Sequence, residues 1–367
     1  MSGKHSKNEE LKEEVPKAFQ KNDSKNGKKQ KKKMGVLSKI VIILIIILLL
    51  LVCSVFFYFK SMLDKTQKVD IGNDLGISES TENNLKGYRN IAIFGVDSRT
   101  DNYGTGNRSD CIIIASINNE TGKIKLVSVY RDTYVNIEGH GLDKITHAYS
   151  YGEAPLAIKT LNTNLDLNIN EFVTVNFDSV AEAVDQLGGV TITVTDEEAK
   201  YLNQYIVETS KVTDKQADNI PGAGTYNLNG VQAVSFSRIR YTEGGDYKRT
   251  ERMRTVLEAM FNKLKTQNVG QINSFAKVML PQVYTNLDLG DILSLVPSLS
   301  KFSVESSVGW PYNTKGWTSD RYYGVPITLE SNVLQLHKEV FDETDYVVPD
   351  SIKNISNSII TKTGYTK

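Results

Sequence analysis

The chain has 367 residues, 43 basic and 43 acidic, with 40% hydrophobic residues, enough for one large domain or two ordinary ones plus appendages. The zero balance hides an asymmetry: residues 1–39 hold twelve Lys, no Arg and five acids, so the remainder carries 31 basic against 38 acidic residues. A basic tail ahead of an acidic body speaks against a nucleic-acid-binding domain, which puts its positive charge on the folded part, and two cysteines make no disulfide framework.

In chain order, residues 1–35, rich in Lys, Asn, Gln and Glu, read as a disordered basic cytoplasmic tail. Residues 36–59 read as a transmembrane anchor, because 40–59 is a run of twenty residues without a charge, long enough at 1.5 Å per residue to span a bilayer core of about 30 Å. Lys28, Lys29, Lys31, Lys32, Lys33 and Lys39 crowd its N-terminal side, so the tail stays in the cytoplasm and the rest is expected outside the cell. Tyr58-Phe59-Lys60-Ser61 offers no signal-peptidase pattern, and Val52 before Cys53 is too large for a lipoprotein site. Cys53 and Cys111 each read as small buried hydrophobes.

Residues 60–87 are polar and read as an extracellular stalk, 88–345 as the globular domain and 346–367 as a C-terminal tail. Residues 90–96 (NIAIFGV), 111–117 (CIIIASI) and 124–130 (IKLVSVY) read as strands, with a hairpin turn over 118–122. Helical period follows at 156–165, a strand at 172–177, a helix over 179–187 stopped by Gly188-Gly189, and a strand over 190–194. Residues 195–227 read as a long loop or partial helix; helices are expected over 229–236, 246–265, 274–283, 288–302 and 332–341. Strands alternating with helices, with an early hairpin, argue an α/β sandwich around a central mixed β-sheet.

Chemistry gathers at the strand ends. Asp97 follows the first strand and Asp110 precedes the second, while Arg131 and Asp132 follow the third. The hairpin puts Asp110 and Arg131 at one edge, and an antiparallel first strand adds Asp97, with Arg99 and Arg108 in the loop between. Ordinary surface pairs account for any one of these couples; the whole set on one rim points to function. Carboxylates suit Mg²⁺, which takes one or two of them plus substrate phosphate. Lys144 either reaches the same rim or pairs with Asp143.

A second cluster runs through Arg238, Arg240, Gly244, Gly245, Asp246 and Arg249. If extended, residues 238–240 put both Arg on one face. Asp246 is a good N-cap for the helix after Gly244-Gly245, whose amides favour an anion near Arg249, and clustered Arg suits a diphosphate. Arg254 and Glu258 read as a surface i,i+4 pair. His140, His147 and His337 lack metal-ligand spacing, and neither a G-x-S-x-G elbow nor a P-loop occurs.

These residues, with Asp143-Lys144-Ile145-Thr146-His147-Ala148-Tyr149, Asp185-Gln186-Leu187-Gly188-Gly189-Val190 and Leu228-Asn229-Gly230-Val231-Gln232-Ala233, resemble the LytR-CpsA-Psr family over roughly residues 88–257. The resemblance implies an αβα sandwich binding a polyprenyl-pyrophosphate-linked glycan, and a Mg²⁺-dependent phosphotransferase that moves the glycopolymer (teichoic acid or capsule) to peptidoglycan. It implies Asp97 and Asp110 as metal-associated carboxylates, and Arg99, Arg108, Arg131, Arg238, Arg240 and Arg249 as pyrophosphate ligands. Asp97, Arg131 and Asp246 are the candidates for catalytic roles, Asp97 or Asp246 as the base. Met253 stands where many members carry Gln. A membrane-bound precursor sensor or transcriptional attenuator and a lipid pyrophosphatase are the competing functions; the tail has no helix-turn-helix pattern to support the former.

Overall fold

Apolar alternation builds the centre of the molecule. The computed structural model describes residues 60–61, 67–98, 103–287 and 299–366. Its elements run β1 (Gln67–Lys68), α1 (Glu79–Asn84), β2 (Tyr88–Val96), β3 (Ser109–Asn118), β4 (Lys123–Val129), β5 (Tyr134–Ile137) and β6 (Gly141–Lys144). Next come α2 (Ile145–Leu165), β7 (Glu171–Val175), α3 (Phe177–Gln186), β8 (Val190–Val194), α4 (Asp196–Thr213), β9 (Gly224–Leu228) and α5 (Gly230–Ser237). The chain ends with α6 (Gly245–Lys265), α7 (Val269–Met279), β10 (Tyr284–Thr285), β11 (Ser303–Trp310), β12 (Thr314–Thr318), β13 (Tyr322–Pro326), α8 (Leu329–Val340) and α9 (Asp350–Thr363).

Seven strands form one sheet in the order β1-β10-β7-β2-β3-β4-β11. It is mixed, as expected: β2 pairs antiparallel with β3 and parallel with β7, β3 antiparallel with β4, and β4 parallel with β11. Period two then divides the side chains. Ala92, Phe94, Ile112, Ile114, Val127 and Val129 face one way and pack with Tyr149 and Ile158 of α2, Leu336 of α8 and Ile352 of α9. Ile91, Ile113, Ala115 and Leu126 face the other, toward Leu257 and Phe261 of α6. Helices on both faces make the αβα sandwich, and each fully buried Phe or Ile contributes roughly 1.5–3 kcal/mol. A further cluster, with Val190, Ile192, Leu202, Leu228 and Phe236, joins β8 and β9 to α3, α4 and α5.

Two expectations are corrected. Residues 60–87 are not a stalk over their described length: β1 pairs with β10, and Leu75 and Leu85 are buried in the core. Residues 346–367 are not a tail, because α9 buries Ile352 and Ile359 against α2 and α8. The stretch 195–227, read as a long loop or partial helix, takes the helical alternative in α4, and β9 begins within it. Its signal was in the sequence: the Thr195 hydroxyl accepts from the Glu198 amide and the Glu198 carboxylate accepts from the Thr195 amide, a capping box.

Smaller shifts follow from local context. The helix read at 156–165 extends back to Ile145, with a break at Gly152 and Glu153 ahead of Pro155. The helix expected over 274–283 sits at Val269–Met279, where Asn268 caps it. The one expected over 288–302 falls largely outside the described residues, which resume just before β11. The tail over 1–35 and the anchor over 36–59 also lie outside them; among the described residues no helix is long and apolar enough to cross a membrane.

Candidate active site

Sheet register gathers the first cluster. Val96, at the end of β2, stands opposite Ser109 at the start of β3, so Asp97 and Asp110 leave the sheet at one edge. β4 returns antiparallel to β3 and delivers Arg131 there, its Nη1 2.6 Å from Asp110 Oδ1. The Arg131 Nε lies 3.9 Å from Asp132 Oδ1, which also receives Lys144 Nζ at 2.8 Å. Lys144 thus reaches the rim through Asp132, and Asp143 instead accepts from the Tyr151 hydroxyl at 2.7 Å and faces His147 Nδ1 at 2.8 Å.

The second cluster meets the first, with two corrections. Residues 238–240 are not a strand: Arg238 ends α5 in helical conformation, and the two guanidiniums diverge. Arg238 donates to Glu208 at 2.9 Å and Thr209 at 3.1 Å and lies over the Phe177 and Tyr205 rings. Arg240, 46% exposed, approaches Asp110 Oδ2 at 3.4 Å and Asp246 Oδ1 at 3.9 Å. Asp246 is not the N-cap of α6. Gly244 takes that place at φ 86, a left-handed geometry that glycine adopts without steric cost, and Asp246 lies in the first turn. From there it pairs with Arg249 Nη2 at 2.8 Å. Arg249, 2% exposed, also approaches Asp110 Oδ2 at 3.7 Å and the Asp110 carbonyl at 3.4 Å.

Four cations (Arg131, Arg240, Arg249 and Lys144) therefore share three carboxylates (Asp110, Asp132 and Asp246). The buried Nε atoms of Arg131 and Arg249 have no acceptor, and an unmade buried hydrogen bond is costly. Excess positive charge with open donors is the chemistry of an anion site. Burial pushes the Asp246 carboxyl above its ordinary 3.8, against the pull of Arg240, and the Asp132 charge adds to the rise.

Asp97 is exposed and makes no ion pair among the described residues. Among the described residues, Asp110 Oδ2 has only the 3.4 Å and 3.7 Å contacts to Arg240 and Arg249. Two carboxylates at one strand end fit a hard divalent cation that takes its remaining ligands from substrate phosphate and water; among the described residues no cluster of three or more candidate ligands exists to hold one alone. Arg108 is exposed at this edge, where its charge reaches the Tyr151 hydroxyl. Arg99 lies outside the described residues. Arg252 serves the fold: it clasps Glu198 at 2.8 Å, the Ile239 carbonyl at 3.1 Å and Thr242 at 2.8 Å.

Beside this cluster the sheet is hollow. A cavity of about 440 Å³ lies between Ile91, Ile93, Ile113, Ala115 and Val173 of the sheet and Phe177 and Val180 of α3, Met253, Leu257 and Met260 of α6, and Phe275 and Met279 of α7. Asp110 and Ser237 are polar members of its wall. Cys111, also in the wall, has its thiol pushed up to about 12 by burial. Met253, in place of the family's frequent Gln, contributes apolar wall. Arg254 is not on the surface: it is 8% exposed, and its Nε and Nη1 have no acceptor. Its spacing to Leu257 and Phe261, i+3 and i+7, marked that inward face.

Fold and site thus define an αβα domain with a rim of Arg and Asp side chains beside an apolar hollow. The chain belongs to the LytR_cpsA_psr family, whose model matches residues 54–335. It is 32% identical over 232 residues to the polyisoprenyl-teichoic acid–peptidoglycan teichoic acid transferase TagT of Bacillus subtilis, covering 62% of this chain and 69% of that one. It is 32% identical over 215 residues to the transferase TagU of Oceanobacillus iheyensis, covering 56% of this chain but only 61% of the relative. A solved structure of TagT bound to LI-WTA superposes with a TM-score of 0.52 at 25% identity, over 77% of this chain and 92% of that chain.

Proposed function

We infer that this chain transfers a glycopolymer from a polyprenyl-diphosphate carrier to peptidoglycan. One observation carries the reading: Arg131, Arg240 and Arg249 gather around Asp110 where the wall of an apolar cavity turns polar. A polyprenyl diphosphate has the same junction between hydrocarbon and charge. TagT and TagU are named as transferases of teichoic acid to peptidoglycan, and TagT has been solved with a wall teichoic acid ligand. A teichoic acid is accordingly the polymer we assign.

The reaction is a phosphoryl transfer, in which positioning and charge stabilisation do most of the catalysis. The cavity takes the prenyl chain, and the three guanidiniums hold the diphosphate and its developing charge. A sugar hydroxyl of the acceptor attacks the phosphorus that bears the glycan. A new P–O bond forms, the bridging P–O bond breaks, and polyprenyl phosphate leaves with the electron pair. Asp246, whose basicity burial raises, accepts the hydroxyl proton. Asp97 and Asp110 would hold Mg²⁺, which supplies further charge neutralisation at the phosphates. We also place the catalytic domain outside the cell behind a single-pass anchor, on the strength of the uncharged run 40–59 and the Lys-rich segment before it.

Full-length protein given lipid-diphosphate glycan, Mg²⁺ and peptidoglycan tests the reading. Glycan covalently on peptidoglycan is expected. Water acting as acceptor, with no glycan on the wall, would make it a pyrophosphatase; binding without either product would make it a sensor.

A further inference from the structure

On the flank of the rim away from the cavity two tyrosine rings face solvent. Tyr247 is 41% exposed and Tyr322 47%. The Tyr247 hydroxyl lies near those of Tyr322 and Thr314, and the Tyr247 ring packs edge-on against Tyr130 at 4.4 Å. Tyr247 follows Asp246 directly. Tyr322 belongs to the β12–β13 hairpin, which joins the rim where the Gly324 amide donates to the Asp132 carbonyl at 2.8 Å. Its ring rests on the bare backbone of Gly316, where an added Cβ would stand 2.8 Å from the ring's Cε2.

Position gives them a role. The cavity lies under β7, β2 and β3, and no residue of β4, β11, β12 or β13 lines it. Asp110 lines the cavity, and Arg131 is the chain neighbour of Tyr130, on which the Tyr247 ring packs. In phosphoryl transfer the attacking and leaving oxygens are roughly in line. A leaving polyprenyl phosphate that points into the cavity therefore requires the nucleophile to arrive from the opposite flank, where Tyr247 and Tyr322 lie. Tyrosine, apolar on its face and polar at its tip, suits the C–H faces and hydroxyls of a sugar ring.

We propose that Tyr247 and Tyr322 form the subsite for a sugar ring of the peptidoglycan acceptor and aim its hydroxyl at the diphosphate. This rests on the transferase reading. In full-length protein, Tyr322→Ala should raise the acceptor KM about tenfold and leave the Kd for polyprenyl-diphosphate glycan unchanged. Tyr322→Phe should restore the KM. Gly316→Ala, which lifts the ring from its seat, should move the acceptor KM in the same direction. A weaker donor Kd with an unchanged acceptor KM would overturn the proposal, as would no change in either when both variants melt like the parent. Binding of a soluble peptidoglycan fragment without donor separates the two readings. Loss of that binding in Tyr322→Ala supports the subsite even if the parent transfers nothing, an outcome that sinks only the transferase reading. Equal fragment binding in parent and variant overturns the subsite.

Discussion

The two faces of the central sheet are written in the same alphabet and do different things. Ala92, Phe94, Ile112 and Ile114 meet α2, α8 and α9 in a filled core, whereas Ile91, Ile93, Ile113 and Ala115 look into a hollow of about 440 Å³. Alternating apolar residues guarantee that a face avoids water, not that protein atoms fill the space beside it. The difference comes from the helices opposite. α3, α6 and α7 stand off the sheet with flexible side chains such as Met253, Met260 and Met279, and Met adapts to irregular space and exchangeable contents.

Truncation on the two faces should break the symmetry most strongly. Phe94→Ala, on the filled side, should cost about 3–5 kcal/mol in denaturant unfolding, whereas Met253→Ala, on the hollow side, should cost under about 2 kcal/mol, because much of its side chain already lacks partners. Met253→Ala should instead weaken the binding of a polyprenyl diphosphate. Equal losses of stability would mean the hollow side is packed like the other.

At the charged end of the hollow, Arg249→Ala should lower turnover about 10²–10³-fold, the loss typical of one buried donor to developing charge. Circular dichroism should report an intact fold. A pH profile of kcat/KM sharpens the role of its neighbour. Asp246 must be ionised to accept a proton, so the rate rises with pH through its folded pKa. Burial holds that pKa above 3.8, so the acid limb should lie at higher pH than for a free carboxylate and vanish in Asp246→Asn. The smallest effect belongs to Arg238→Ala. Its guanidinium is turned to Glu208 rather than Asp110, an exposed-type pair worth under about 1 kcal/mol, so transfer should fall less than about tenfold.

The contrast between Arg238 and Arg240 shows where sequence reading reached its limit. Strand ends were legible because period two and one hairpin turn determine which residues share an edge, and that put Asp97, Asp110 and Arg131 together. The end of α5 was not fixed to the residue, and helical backbone at Arg238, its C-cap, separated two side chains that an extended chain would have paired. The tyrosine pair was invisible for a related reason: Tyr322 reaches Tyr247 only through tertiary docking of a hairpin that follows the helices. Arg254 was a misreading of available information, since its spacing to Leu257 and Phe261 already pointed inward. The C-terminal helix buries an apolar stripe, Ile352 and Ile359 at i and i+7, that a tail would not carry.

The central claim is that the hollow holds a lipid chain whose diphosphate sits among Arg131, Arg240 and Arg249. A crystal structure of the full-length protein with a polyprenyl diphosphate tests it most directly. We expect continuous hydrocarbon density between the sheet and α3, α6 and α7, ending in phosphate oxygens within hydrogen-bond distance of the three guanidiniums. Lipid bound elsewhere on the molecule, with the cavity empty and the Arg cluster still closed on Asp110, would contradict it.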